Sequence, residues 1–164
     1  MSDWENITYP KFFIHLSKEL SLLRTKLSKD VYKEGTDKFR GKQESSISQL
    51  GILAELIAQN FITDLEIKYQ SAPLIDLSPV VDCDIKMDVY ATPYLIDVKG
   101  VKKEETNLRV NFNSHNNKNK EITHYLFIHI TSTTEARYKF YNFNDVSNWK
   151  VVKSTYSDCY TKVI

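Results

Sequence analysis

Cysteine is scarce in this chain: Cys83 and Cys159 are the only two among 164 residues. A pair so far apart gives neither a disulfide framework nor a cysteine-rich zinc site. The four histidines, His15, His115, His124 and His129, lack metal-ligand spacing, so a histidine-held transition metal is not indicated either. No apolar run approaches the ~18–20 residues that a membrane-spanning helix requires, and no basic, apolar and small-residue leader precedes the first helix. A soluble, cytoplasmic protein without membrane partners is therefore expected. There is no internal repeat, and the only biased tract is the asparagine-rich stretch over 111–119. Net charge is also slight, at +1, which by itself marks the chain as neither a basic nucleic-acid arm nor an acidic tail.

What is present is enough apolar material for a core: 41% hydrophobic and 12% aromatic residues. One domain over 1–164 is expected, with a helical N-terminal part over about 1–45 and a core over about 46–143. The small net charge hides a segregated distribution. Residues 1–42 carry +3, residues 43–98 carry −7 and residues 99–164 carry +5. An acidic centre between basic flanks suits an enzyme that concentrates cations at its site and holds a polyanion at its rim.

Helical periodicity appears twice. After Pro10, the spacing of Phe13, Leu16, Leu20, Leu23 and Leu27 predicts a helix to about residue 29. Over 46–63, Leu50, Leu53, Ala54, Ile57, Ala58 and Phe61 form a core-facing stripe that Ile52, Leu56 and Ile62 widen, so this helix is expected to be largely buried. Glu55 is its only charge and falls at the edge of the stripe, beside Gln59. A buried acid is costly unless it is paired or bound to a cation. Between the helices, 31–44 contains Gly35, Gly41, Lys33, Lys38, Arg40 and Lys42, a loop able to cover a ligand.

Strand periodicity follows. Over 80–90, Val81, Cys83, Ile85, Met87 and Val89 alternate with Asp82, Asp84, Lys86 and Asp88. Over 94–100 the chain reads Tyr-Leu-Ile-Asp-Val-Lys-Gly, which puts Asp97 and Lys99 on one face. Joined by a loop over 90–93, the two runs predict a β-hairpin with one buried and one acidic, polar face. That loop sets Lys86 opposite Asp97 and Asp84 opposite Lys99, with Asp84 and Asp88 both diagonal to Asp97. Crowded carboxylates repel unless a cation neutralises them. Magnesium takes carboxylate oxygens and keeps several waters, which suits phosphate chemistry, and Lys99 beside it would stabilise charge on a phosphate oxygen. The plainer reading of the same hairpin is a solvated face on which Lys86 pairs with its acidic neighbours.

Asp84, followed thirteen residues later by the Asp97-Val98-Lys99 triplet, with Glu55 on the preceding helix, resembles the PD-(D/E)XK nuclease superfamily, the restriction-endonuclease-like fold. The resemblance spans about 46–130. The proline of the pattern is not adjacent to Asp84, and Pro79 lies further upstream. The family implies an α/β domain, a central mixed β-sheet flanked by helices. It also implies a magnesium- or manganese-dependent endonuclease that hydrolyses DNA phosphodiester bonds. Asp84 and Asp97 would hold the metal, with the Val98 carbonyl as a further ligand and Glu55 bound directly or through water. Lys99 would position the attacking water or stabilise the transition state.

Two further strands are predicted over 125–130 and 137–143, joined by a polar turn over 131–135. In the asparagine-rich stretch, Asn111, Asn113, His115 and Lys118 are candidate DNA contacts, since amides and cations hold phosphates without reading sequence. Lys102, Lys103, Arg109 and Lys120 surround them. A polar surface loop explains the same residues equally well. A homodimer is compatible with the chain. The alternative functions are a non-catalytic nucleic-acid-binding domain on a nuclease-like scaffold and a partner-binding domain that uses the Phe13 to Leu27 stripe.

Overall fold

In the computed structural model the described residues are 3–31, 44–72, 74, 83–89, 92–118, 120–155 and 157–164. The cationic loop expected over 31–44 lies, from residue 32 to 43, outside them, as do residues 75–82. Helical spacing is realised in α1 (Phe12–Val31) and α2 (Glu44–Asp64), each beginning two residues from its predicted start. From α2, Leu53, Ala54, Ile57, Ala58, Phe61 and Ile62 enter one apolar cluster with Phe13 of α1, so the stripe read from the sequence is the buried one.

Opposite the helices stands a six-stranded mixed sheet. Its strands are β1 (Glu5–Thr8), β2 (Tyr69–Ser71), β3 (Ile85–Val89), β4 (Thr92–Val101), β6 (His124–Ile130) and β7 (Glu135–Asn142), with β5 (Asn107–Asn111) elsewhere. The order is β1-β7-β6-β4-β3-β2. All pairings are antiparallel except β4 with β6, which is parallel. Ile85 and Met87 of β3, Ile96 and Val98 of β4, and Leu126 and Ile128 of β6 face α1 and α2, following the two-residue period of a strand.

The opposite face of the sheet is not solvated. A second, three-stranded sheet in the order β5-β9-β8, made with β8 (Lys150–Val152) and β9 (Cys159–Val163), covers it. Leu108, Val110 and Tyr160 pack there on Val101, Tyr125, Phe127 and Tyr141. Two short helices, α3 (Phe112–His115) and α4 (Phe143–Ser147), complete this layer. Helices therefore flank one face, while the other is closed largely by strands. The strand expected to include residue 143 ends at Asn142, because Phe143 opens α4.

The β3–β4 register differs from the expected one by two residues. Lys86 pairs with Leu95, not Asp97, and the ladder runs from Ile85 opposite Ile96 to Val89 opposite Thr92. Pro93 is part of β4, opposite Asp88, rather than in the loop. It is tolerated there because proline lacks only a backbone donor, and a place without that ladder bond can accept it. The strand predicted over 80–90 is short, starting at Ile85. Asp84 thus falls just beyond the last pair, alongside Asp97, and Asp88 is carried four residues down β4 from it. At about 3.3 Å per residue, that is roughly 13 Å along the strand, so the register favours Asp84 as the first acid.

Candidate functional site

Beyond Ile96 the edge of β4 loses its β3 partner, and Asp84 turns into the gap. Its backbone N–H still donates to the Ile96 carbonyl at 2.9 Å, while its carboxylate Oδ2 accepts from the Val98 N–H at 2.6 Å. A side-chain oxygen therefore takes the place of the missing strand. This fixes Asp84 beside Asp97, close enough for a hydrogen bond between the two carboxyl groups. The resemblance implies a ligating carbonyl at Val98; what the structure describes at this residue is the amide, used to hold Asp84.

Asp97 is buried, with 5% of its surface exposed, because Tyr125 stands opposite it on β6 and the second sheet closes over that face. The plainer alternative, a solvated face, does not hold at Asp97: alternation reveals which residues share a face, not what later covers it. Lys99 Nζ pairs with Asp97 Oδ1 at 2.5 Å and keeps about a third of its side chain exposed. From α2, packed on β4, Glu55 supplies a third acid whose charge is felt by Lys99, and whose own carboxyl feels both Asp84 and Asp97. Glu55, Asp84, Asp97 and Lys99 therefore form one electrostatic cluster.

The titration of this cluster follows from its burial. Desolvation, then the charge of Asp84, pushes the Glu55 carboxyl up to about 8, with Arg24 and Lys99 opposing. Desolvation and the Asp97 charge lift Asp84 to about 6, against Lys99 and the Val98 amide. Burial alone would lower the Lys99 ammonium, but Asp97, Asp84 and Glu55 outweigh it and raise its pKa. Lys99 is therefore a fixed cation throughout the neutral range and not a general base.

Two cations of the cluster were not assigned to it from the sequence. Lys120 reaches Asp97 Oδ2 at 3.9 Å and donates to Ser114 Oγ at 2.9 Å. Arg24 acts on Glu55 from α1. Lys120 was visible only as one cation of an asparagine-rich loop, and Arg24 carried no local signal at all. The loop candidates themselves separate. Asn113 and Lys118 are exposed, whereas Asn111 caps α3 by accepting from the Ser114 N–H at 2.9 Å. His115 is withdrawn from any ligand: it is 3% exposed, with Nδ1 at 2.9 Å from the Tyr125 hydroxyl and Nε2 at 2.8 Å from Ser147 Oγ.

Among the described residues, no group of three or more His, Cys, Asp or Glu side chains is closed around a position that would hold a metal ion. The set available is the Asp84–Asp97 pair, with Glu55 further off. Magnesium is ordinarily held by one or two carboxylates with waters completing its shell, so this oxygen-only set fits a hard divalent cation. The Asp84 and Glu55 carboxyls are raised first by burial and then by their acidic neighbours, against the opposing cations. Compared with protein-family models, with curated proteins and with solved structures, the chain matches none. Its reading rests on the site alone.

Proposed function

We propose that this chain is a magnesium- or manganese-dependent nuclease built on a restriction-endonuclease-like core, cleaving phosphodiester bonds in DNA. The observation that carries the reading is the docking of the Asp84 carboxylate on the Val98 amide. It brings an acid from outside the β3 ladder to the Asp97-Val98-Lys99 triplet, with Glu55 of α2 in electrostatic reach of them. Burial first, and the neighbouring carboxylates second, raise Glu55 and Asp84, and groups perturbed by desolvation together with specific charge partners cluster at functional sites.

In this reading Asp84 and Asp97 hold the ion, and Glu55 joins them directly or through water. When bound, the cation polarises the phosphate and lowers the pKa of its water. Lys99 contributes a fixed positive charge beside the reacting phosphate, strengthened by low-dielectric surroundings. The basic flanks, +3 over 1–42 and +5 over 99–164, supply attraction for the polyanion.

The test is incubation of the protein with supercoiled, linear and branched DNA, with magnesium, with manganese and with chelator. Cleavage that needs the cation and disappears in Asp97→Asn supports the reading. No cleavage of any of the three with either metal sinks it.

A further inference from the structure

At the end of the main sheet where β4 and β6 begin, a groove of about 650 Å³ opens, lined by residues from both faces of that sheet. Tyr94 and His124 lie in it as a stacked pair, ring centres 4.1 Å apart and planes at 28°. Trp149 and Tyr141 line another part, edge to face at 5.0 Å. Lys162 extends over both of these rings, its ammonium 4.9 Å from the Tyr141 centroid and 5.7 Å from that of Trp149, and Lys139 stands 5.5 Å over Tyr141. Among the described residues, the groove's only acid is Asp145. Among the described residues neither lysine is paired with a carboxylate.

Flat aromatic surfaces interleaved with ammonium groups that no described carboxylate neutralises are what an unpaired nucleic-acid strand requires. Bases of any identity stack on the rings, and the backbone phosphates find the cations. Duplex DNA, whose bases are stacked on one another, has no use for such rings without unpairing. The groove shares strand β4 with the acidic site, although none of Glu55, Asp84, Asp97 or Lys99 lines it. Tyr94 precedes Asp97 by three residues on β4, roughly 10 Å at about 3.3 Å per residue, and His124 stands opposite Ile96 in the parallel pairing.

We propose that this groove binds unpaired nucleotides of the strand whose phosphate enters the Asp97 site, so that the preferred substrate carries a single-stranded segment. The term substrate rests on the nuclease reading; the binding of an unpaired strand does not.

Tryptophan gives a direct readout. The chain has two, Trp4 and Trp149, so Trp4→Phe leaves Trp149 as the sole reporter. Titrating this full-length variant with short thymidine oligonucleotides at low salt, with chelator present to prevent cleavage, is expected to quench its fluorescence saturably. Tyr94→Leu, which retains an apolar side chain against the core while removing the ring, is expected to weaken binding about tenfold. Lys139→Gln with Lys162→Gln should flatten the log–log salt dependence by roughly 1.4, the single-strand increment for two phosphates. A hairpin duplex without free single strand should quench poorly. Quenching without DNA cleavage by the parent keeps the groove and removes the nuclease. Cleavage without quenching, or quenching unaltered by all three substitutions in variants whose near-ultraviolet dichroism matches the parent, overturns the groove.

Discussion

Gly100 lies against Leu50 so closely that a Cβ placed on it would sit 2.7 Å from the Leu50 carbonyl oxygen and 2.8 Å from its Cγ. This contact sets the distance between β4, which carries Asp97 and Lys99, and α2, which carries Glu55 five residues further on. The nearest obstacle is backbone, so it has no rotamer by which to yield. Gly100→Ala is expected to cost about 1–3 kcal/mol by overpacking and to reduce cleavage beyond what the lost stability explains. Comparing melts with activity measured well below the transition checks this; an alanine variant with parental stability would show that the two elements are not in fixed contact.

Asp97→Asn removes the charge that both Lys99 and the proposed ion require. Cleavage should fall by at least about 10³-fold, the order seen when charge stabilisation is removed from a reacting centre. Stability should change little, because the lost attraction to Lys99 is offset by relief from Asp84 and Glu55. Lys99→Ala should also abolish most activity, and it should lower the melting temperature, since three acids then share the site without their nearest cation. Magnesium-dependent cleavage at parental rate by either variant would end the assignment.

The Glu55 carboxyl carries a pH signature. Its pKa is raised from 4.5 to about 8 in the folded protein, so between those values the native state holds a proton that the unfolded chain releases. Stability from this group is complete below about pH 4.5 and is lost as pH rises through about 8. Glu55→Gln has no such loss. In chelator it should match the parent near pH 4 and be clearly more stable at pH 9, with a melting temperature several degrees higher. Thermal melts across that range decide the point, and a glutamine variant less stable than the parent at pH 9 would contradict the burial of Glu55.

Lys120 tests whether the second cation serves chemistry or the loop. The loop is already secured by the Asn111 cap, by His115 on Tyr125 and Ser147, and by Asn116, which donates to the Phe112 carbonyl at 2.8 Å. Lys120→Met, which keeps the apolar stem, should therefore leave the melting temperature within about 2 °C, on the order of 0.5 kcal/mol. It should lower cleavage about tenfold and reduce the salt slope of duplex binding by about 0.9, one phosphate contact. Unchanged cleavage together with an unchanged slope would assign Lys120 to the loop alone.

Much of the site was legible in one dimension because its signals are local. A lone acid on the edge of an apolar helical stripe marked Glu55, and Asp97 with Lys99 two positions apart marked a shared strand face. The choice between Asp84 and Asp88 was not legible. It depends on where the hairpin closes, and the residues at 90–91 carry no glycine or asparagine to declare a tight turn. A shift of two residues preserves every side chain's face, so the hydrophobic pattern could not reveal it. Asn111 and His115 read as polar loop residues, yet both are used internally, one as a cap and one as a buried bridge between hydroxyls.

The sequence by itself determined what short-range periodicity can encode: two amphipathic helices, four of the six strands of the main sheet, and the acids and lysine those elements carry. Only the tertiary structure decided how they meet. The second sheet pairs β5 with β9 across about fifty residues of chain, with strands of three to five residues too short to announce themselves, and it turns the face of Asp97 from solvated to buried. The gap where β3 ends, which no residue pattern specifies, is what brings Asp84 onto the Val98 amide. Burial and proximity, both long-range quantities, then raise the carboxyls of Glu55 and Asp84 and convert a row of charges into a site.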